Sequence, residues 1–323
     1  MFKVRKYKPK DKLLWDTFVK ECKNATFLFM RDFMDYHKDR FEDFSLLCFK
    51  EDKLIGVLPA NIYKGNVYSH QGLTYGGLLV TEKLKFTTFL KTLKSVLDFC
   101  DFLNVKHLYI KQLPEMYSLF PNEELEYLHF ILKSHLVKVD VSSSLLLTEE
   151  MNFSKDRIAG IKKGIKNKLE VREVHDFEEF WNDILIPNLS FRHQVKPTHS
   201  CEEISLLKKR FPDNIRQFNV YKDGKIVAGT TLFMNKHLVH SQYMSADKNK
   251  NVLGSLDFLH NYLFTQVLSD KKIFDFGISN ENFGENINEG LLYWKEGFGA
   301  RTKVYKQYKI TVANKDFLNS ILI

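Results

Sequence analysis

The sequence predicts an α/β protein of two tandem domains, each a mixed β-sheet flanked by helices, spanning residues 1–150 and 151–323. Three observations predict it. A strand–turn–strand pattern occurs twice, at 44–63 and 216–235. The same order of helix-like and strand-like segments follows each copy. The 323 residues, 44% apolar and 27% charged, suit two cores better than one.

The elements are justified in chain order. "FSLLCFKEDKLIGVLPANIY" (44–63) is two strand-like runs around the charged turn Lys50-Glu51-Asp52-Lys53, a β-hairpin. After it come "NVYSHQGLTYGGLLV", the helix-like "FTTFLKTLKSVLDFCDFLN" and the strand "HLYIK". "RQFNVYKDGKIVAGTTLFMN" (216–235) repeats the hairpin around Lys222-Asp223-Gly224-Lys225. It is followed by the strand "HLVHSQYMSA", the helix-like "LGSLDFLHNYLFTQVL" and the strand "IFDFGIS". Each copy closes on a helix and a final strand, "LEYLHFILKSHLVKVDVSSSLLL" and "GLLYWKEGFGARTKVYKQYKI". A two-copy repeat of this length means tandem domains, not a solenoid.

Between the copies, "NFSKDRIAGIKKGIKNKLEVRE" (152–173) reads as a helix. Ile158, Ile161, Ile165 and Leu169 fall on one stripe, with Lys155, Lys162, Lys163 and Lys166 off it. The lysines are expected to form either a solvated face or a phosphate-facing surface.

A net charge of +8 favours anionic partners without naming one. Cys22, Cys48, Cys100 and Cys201 show no CxxC pairing, which reads as reduced, buried thiols and no zinc site. The opening "MFKVRKYKPKDK" lacks the apolar core of a signal peptide, and no apolar run reaches bilayer-spanning length, so a cytoplasmic chain is expected. "DFG" at 275–277 has no accompanying kinase motifs. No metal site is expected.

Several polar groups are candidates for a site. His240, Gln242 and Met244 alternate with Ser241, Tyr243 and Ser245 on the strand 237–246. Tyr243 is a candidate proton donor or cleft wall, or a buried tyrosine with a satisfied hydroxyl. Arg192, His193, Lys196 and His199 are expected in a loop before a helix that the capping box Ser200/Glu203 starts. Arg192 and His193 are candidates for acceptor contacts. In the first domain His70, Tyr75, Gly76 and Gly77 are candidates for a cleft wall. The adjacent glycines imply a close backbone approach or a bulge.

The doubled element order resembles tandem GNAT-fold transferases. More closely it is similar to the Fem-type family, the peptidoglycan-bridge aminoacyltransferases and their relatives in bacterial glycan gene clusters. "RIAGIKKGIKNKLEV", "SHQGLTYGGLL" (69–79) and "DFGISNENFGENINEGLLYWKEGFGA" carry the resemblance, which spans nearly the whole chain. It implies transfer of an acyl or aminoacyl group to an amine of a cell-envelope or glycan precursor. That acceptor would be a small molecule or lipid- or nucleotide-linked, held in a cleft of the second domain. Carried over, the family's aromatic-lysine pair is Trp294 and Lys295. Trp294 would shape the pocket, and Lys295 would neutralise a phosphate or the developing oxyanion. The first domain, which lacks the Trp-Lys-Glu-Gly-Phe-Gly ending, is expected to be structural.

One feature departs from acyl-CoA-binding GNAT domains. Their glycine-rich pyrophosphate loop after the fourth strand is replaced here by "SADKNKNVLGSLDFL", whose one glycine is Gly254. Fem-type enzymes also lack the loop and take their donor from aminoacyl-tRNA. Acyl-CoA and aminoacyl-tRNA, with tRNA as partner, both stay open as donors. The alternative from another class is a non-catalytic, basic RNA-binding or scaffold protein on the same fold.

Overall fold

The structure is a computed structural model covering residues 1–323; the side chains of Arg192 and His193 lie outside the described residues. The chain divides into two units, residues 1–140 with 304–323, and residues 141–303.

The first unit contains β1 (Phe2–Lys6), α1 (Lys12–Glu21), α2 (Arg31–Met34), β2 (Glu42–Asp43), β3 (Leu46–Lys50) and β4 (Lys53–Leu58). It continues with β5 (Asn61–Tyr63), β6 (Asn66–Tyr68), α3 (Phe86–Phe102), β7 (His107–Lys111) and α4 (Glu124–Ile131). The expected hairpin is present: β3 and β4 pair antiparallel, and β1 adds to β3. Helix α3 buries Phe89, Leu90, Leu93, Val96, Leu97 and Cys100, spaced to form one stripe. That stripe packs on Val67, Leu108 and Ile110 of the sheet. Each such side chain stabilises the fold by about 1.5–3 kcal/mol on burial. As the crossover between β6 and β7, α3 makes those strands parallel.

β8 (His135–Leu146) begins in the first unit and ends in the second. The second unit then holds α5 (Lys155–Lys166), β9 (Glu170–Val174), α6 (Ile186–His193), α7 (Cys201–Arg210), β10 (Ile215–Lys222), β11 (Lys225–Met234) and β12 (Leu238–Ala246). It ends with α8 (Lys250–Leu253), α9 (Ser255–Tyr262), β13 (Ile273–Ile278), the short ladder β14 (Asn280–Glu281) and β15 (Asn286–Ile287), and α10 (Glu289–Glu296). Strands β9 to β12 form an antiparallel run that includes the second expected hairpin. β12 and β13 are parallel through Leu238↔Ile273, Val239↔Phe274 and His240↔Asp275. β13 pairs antiparallel with the end of β8.

Two sequence expectations are corrected. The final strands of the two copies are exchanged. β16 (Arg301–Thr311) pairs with β7 of the first unit, Ile310 opposite Leu108, so residues 304–323 leave the second domain to which they were assigned. The boundary falls at 140, not 150, because Ser142–Leu146 of β8 are hydrogen-bonded to β13. The connecting helix α5 also faces the opposite way from its apolar stripe. Gly160 and Gly164 are buried, whereas Ile158 and Ile165 are 42% and 62% exposed. A helix approaches closest through side-chain-free positions, and the packing of α5 on α9 uses them.

Cys22, Cys48 and Cys100 are buried free thiols, and Cys201 is free and partly exposed.

Candidate functional site

Within the second unit a cavity of about 720 Å³ opens between α5, the end of β12, the start of α9 and α10. Its position follows from the sheet. After His240 the parallel ladder of β12 and β13 ends, while β12 runs on along β11 to Ala246. Met244, Ser245 and Ala246 form the floor.

Three glycines let α5 close one side. A Cβ on Gly160 would sit 1.7 Å from Oδ2 of Asp257, and one on Gly164 would sit 2.5 Å from Phe258 Cβ. Gly254, at φ +68°, caps α8 in the left-handed region, and a Cβ there would lie 2.0 Å from the Gly160 carbonyl oxygen. Helix α5 therefore lies directly against the start of α9.

Asp257 is the centre of the wall. Its Oδ1 accepts from Arg157 Nη1 at 2.7 Å and from Trp294 Nε1 at 2.7 Å. Burial pushes its carboxyl above the usual range, and Arg157 and Trp294 pull against that. Asp156 accepts from the Tyr293 hydroxyl at 2.8 Å, and Lys163 donates to the Asn251 carbonyl at 3.0 Å. The lining thus combines Arg157, Lys163 and Lys250 with two carboxylates and an aromatic rim of Tyr293 and Trp294.

Behind Trp294 lies an aromatic cluster. His260, fully buried, contacts Trp294, Phe264, Phe274, Phe276 and Phe298 at ring-centroid distances of 5.0–5.9 Å. Its Nδ1 meets the Leu256 carbonyl at 2.8 Å, and burial pushes its pKa down to about 4.

Adjacent helix residues point about 100° apart, so Trp294 lines the cavity while Lys295 does not. Lys295 is 1% exposed, and its Nζ donates to the Gly277 carbonyl (2.8 Å), the Ile278 carbonyl (2.9 Å) and Ser279 Oγ (2.9 Å). Burial lowers its pKa to about 8, opposed by Asp275. The register of β13 slips between Asp275 and Ile278, and Gly277 sits there at φ +76°. Asp275 braces the slip: it accepts from Ser142 Oγ (2.6 Å) and Gly277 N (3.0 Å) and meets His240 Nδ1 at 2.8 Å.

The other residues singled out from sequence lie elsewhere. The Tyr243 hydroxyl accepts from the His199 amide at 3.1 Å and lies 2.6 Å from His199 Nδ1, and its ring packs on Trp181. It ties the approach to α7 onto β12 and is not part of the cavity lining. Gln242 is half-buried, and its Oε1 has no hydrogen-bond partner among the described residues. The positions of Arg192 and His193 fall in α6, correcting the loop expected there, and their side chains lie outside the described residues. The capping box at Ser200 and Glu203 is present.

His70 and Tyr75 are buried in the core of the first unit, correcting their expected place on a cleft wall. The Tyr75 hydroxyl donates to Thr26 Oγ1 at 3.2 Å. Burial pushes the His70 pKa down to about 3. The close approach implied by Gly76 is to the chain itself: a Cβ would lie 2.0 Å from the Ser69 carbonyl.

Sequence reasoning missed Arg157, Asp257 and Asp275. The one available signal was Asp257 itself, a carboxylate within the otherwise apolar run "LGSLDFL".

No protein-family model and no curated protein matches the chain. Solved structures do match. FemX is similar at TM-score 0.68 and 10% identity, covering 99% of each chain. L-PGS from Bacillus licheniformis is similar at TM-score 0.55 and 13% identity over 83% of each chain. A tandem GNAT protein from the clavulanic acid biosynthesis pathway is similar at 0.50 and 8% identity, over 97% of this chain and 99% of that one. These likenesses establish the tandem GNAT, Fem-like fold that the doubled element order led to.

Proposed function

We propose that the second unit is an N-acyltransferase that moves an acyl or aminoacyl group onto an amine held in the Asp257 cavity. The observation that carries this reading is a buried, oriented carboxylate facing a cationic and aromatic cavity where β12 and β13 part. An ammonium acceptor must be bound and stripped of a proton before it attacks. Asp257 can do both: burial raises its proton affinity, and Arg157 and Trp294 hold it in one orientation. The C–N bond forms as the donor's ester or thioester bond breaks, and the leaving atom takes up a proton. Arg157, Lys163 and Lys250 supply positive charge for a phosphate on the donor or acceptor. Lys295 is a positioning residue: it holds the Gly277 slip of β13 behind Trp294.

The donor we favour is aminoacyl-tRNA. Helix α5 lies against the start of α9, the helix terminus that would otherwise be open to a pyrophosphate. The acceptor is an amine of a cell-envelope or glycan precursor. Among the described residues no helix is long and apolar enough to cross a membrane.

The test is single-turnover transfer from labelled aminoacyl-tRNA and from a series of acyl-CoAs to a panel of amino-sugar and peptide amines. Transfer from aminoacyl-tRNA that Asp257→Asn removes supports the reading. Transfer from acyl-CoA keeps the reaction but replaces the donor. Salt-sensitive tRNA binding with no transfer from either donor favours the non-catalytic RNA-binding reading instead.

A further inference from the structure

Helix α5 carries its apolar stripe outward. Its glycines face α9, and Ile158 and Ile165 stand in water at 42% and 62% exposure, with Ile161 half-buried beside them. Lys155, Lys162 and Lys166 are exposed along the same helix. Its one carboxylate, Asp156, is on the cavity side, bonded by Tyr293. Lys163 ties α5 to α8, whose Val252 is 71% exposed.

The composition selects a partner. A face solvated by water has no use for isoleucines, and a nucleic-acid backbone would be met by the lysines alone. Isoleucines framed by lysines match an anionic bilayer surface: the branched chains enter the acyl boundary and the ammonium groups meet headgroup phosphates. We propose that the outward face of α5 docks the second unit onto an anionic phospholipid surface. The inference stands apart from the transferase reading. If both hold, the helix that touches lipid is also the wall of the cavity, which would bring Asp257 to a lipid-borne amine.

The test is co-sedimentation of the full chain with vesicles of phosphatidylcholine alone and with phosphatidylglycerol added. Binding is expected only to the anionic vesicles and should weaken with salt. Removing each lysine should cost roughly five-fold in affinity. Ile158→Ser with Ile165→Ser should cost about ten-fold or more, with no loss of thermal stability, because these side chains are already exposed. Transfer to a soluble amine should be unchanged in the same variants, so failure here is distinguishable from failure of the transferase reading. Ile158→Trp gives a second readout, a blue-shifted emission on anionic vesicles. The proposal is overturned by no sedimentation at low salt. It is equally overturned if binding follows the lysines but ignores the isoleucines and is displaced by single-stranded RNA.

Discussion

At the scale of single residues, the site rests on one carboxylate and one lysine with different duties. Asp257 faces the cavity and Lys295 faces away, although Lys295 neighbours Trp294, which donates to Asp257. Asp257→Asn keeps the shape and removes the charge. It should lower turnover by at least about a hundred-fold, the usual scale for a positioned proton acceptor, while the melting temperature changes little. Lys295→Met should do the reverse. It leaves two carbonyls and a hydroxyl without their donor, and chemical denaturation should show a loss of roughly 3 kcal/mol. Any loss of activity should then follow the loss of folded protein. The aromatic-lysine pair was legible in sequence as a motif. The direction of each side chain was not, because it depends on how α10 is rolled against β13.

At the scale of elements, α5 is the deciding piece. Its hydrophobic pattern reads as a core-facing isoleucine stripe, yet glycines are what α9 receives. Close approach wins because Asp257 and Phe258 occupy the space in which a Cβ would sit. Gly160→Ala should therefore destabilise by about 1–3 kcal/mol through overpacking and displace Asp257, so stability and transfer fall together. Gly224 makes a control. It needs its positive φ of +77° in a hairpin turn but has nothing within 4 Å, so Gly224→Ala should cost stability and leave transfer intact.

At the scale of the whole molecule, two properties follow from how the chain is shared out. Because β16 returns to β7, cutting the chain after residue 300 should leave the first unit without a strand. Soluble expression should collapse, whereas a fragment of 141–303 should hold native-like structure, as hydrogen exchange would show. The second property is acid sensitivity. Burial lowers the pKa of His37 and His260 to about 4 and of His70 and His129 to about 3, from 6.5. Below pH 6.5 the unfolded chain takes up protons that the folded one refuses. Stability therefore falls as pH drops from 6.5 towards 4, by roughly 3 kcal/mol for each such histidine. His37, His70 and His129 lie in the first unit and His260 in the second, so hydrogen exchange on acidification should show the first unit opening at higher pH. The sequence by itself determined the element order, the two hairpins, the helix cap at Ser200 and hence the doubled fold, because these arise from local periodicity and turn chemistry. Only the tertiary structure decided which sheet each final strand joins, which face α5 buries and which polar groups meet at the cavity. Those depend on pairings between residues as much as 200 positions apart, such as Leu108 with Ile310, whose free energies belong to the assembled core and not to any local stretch.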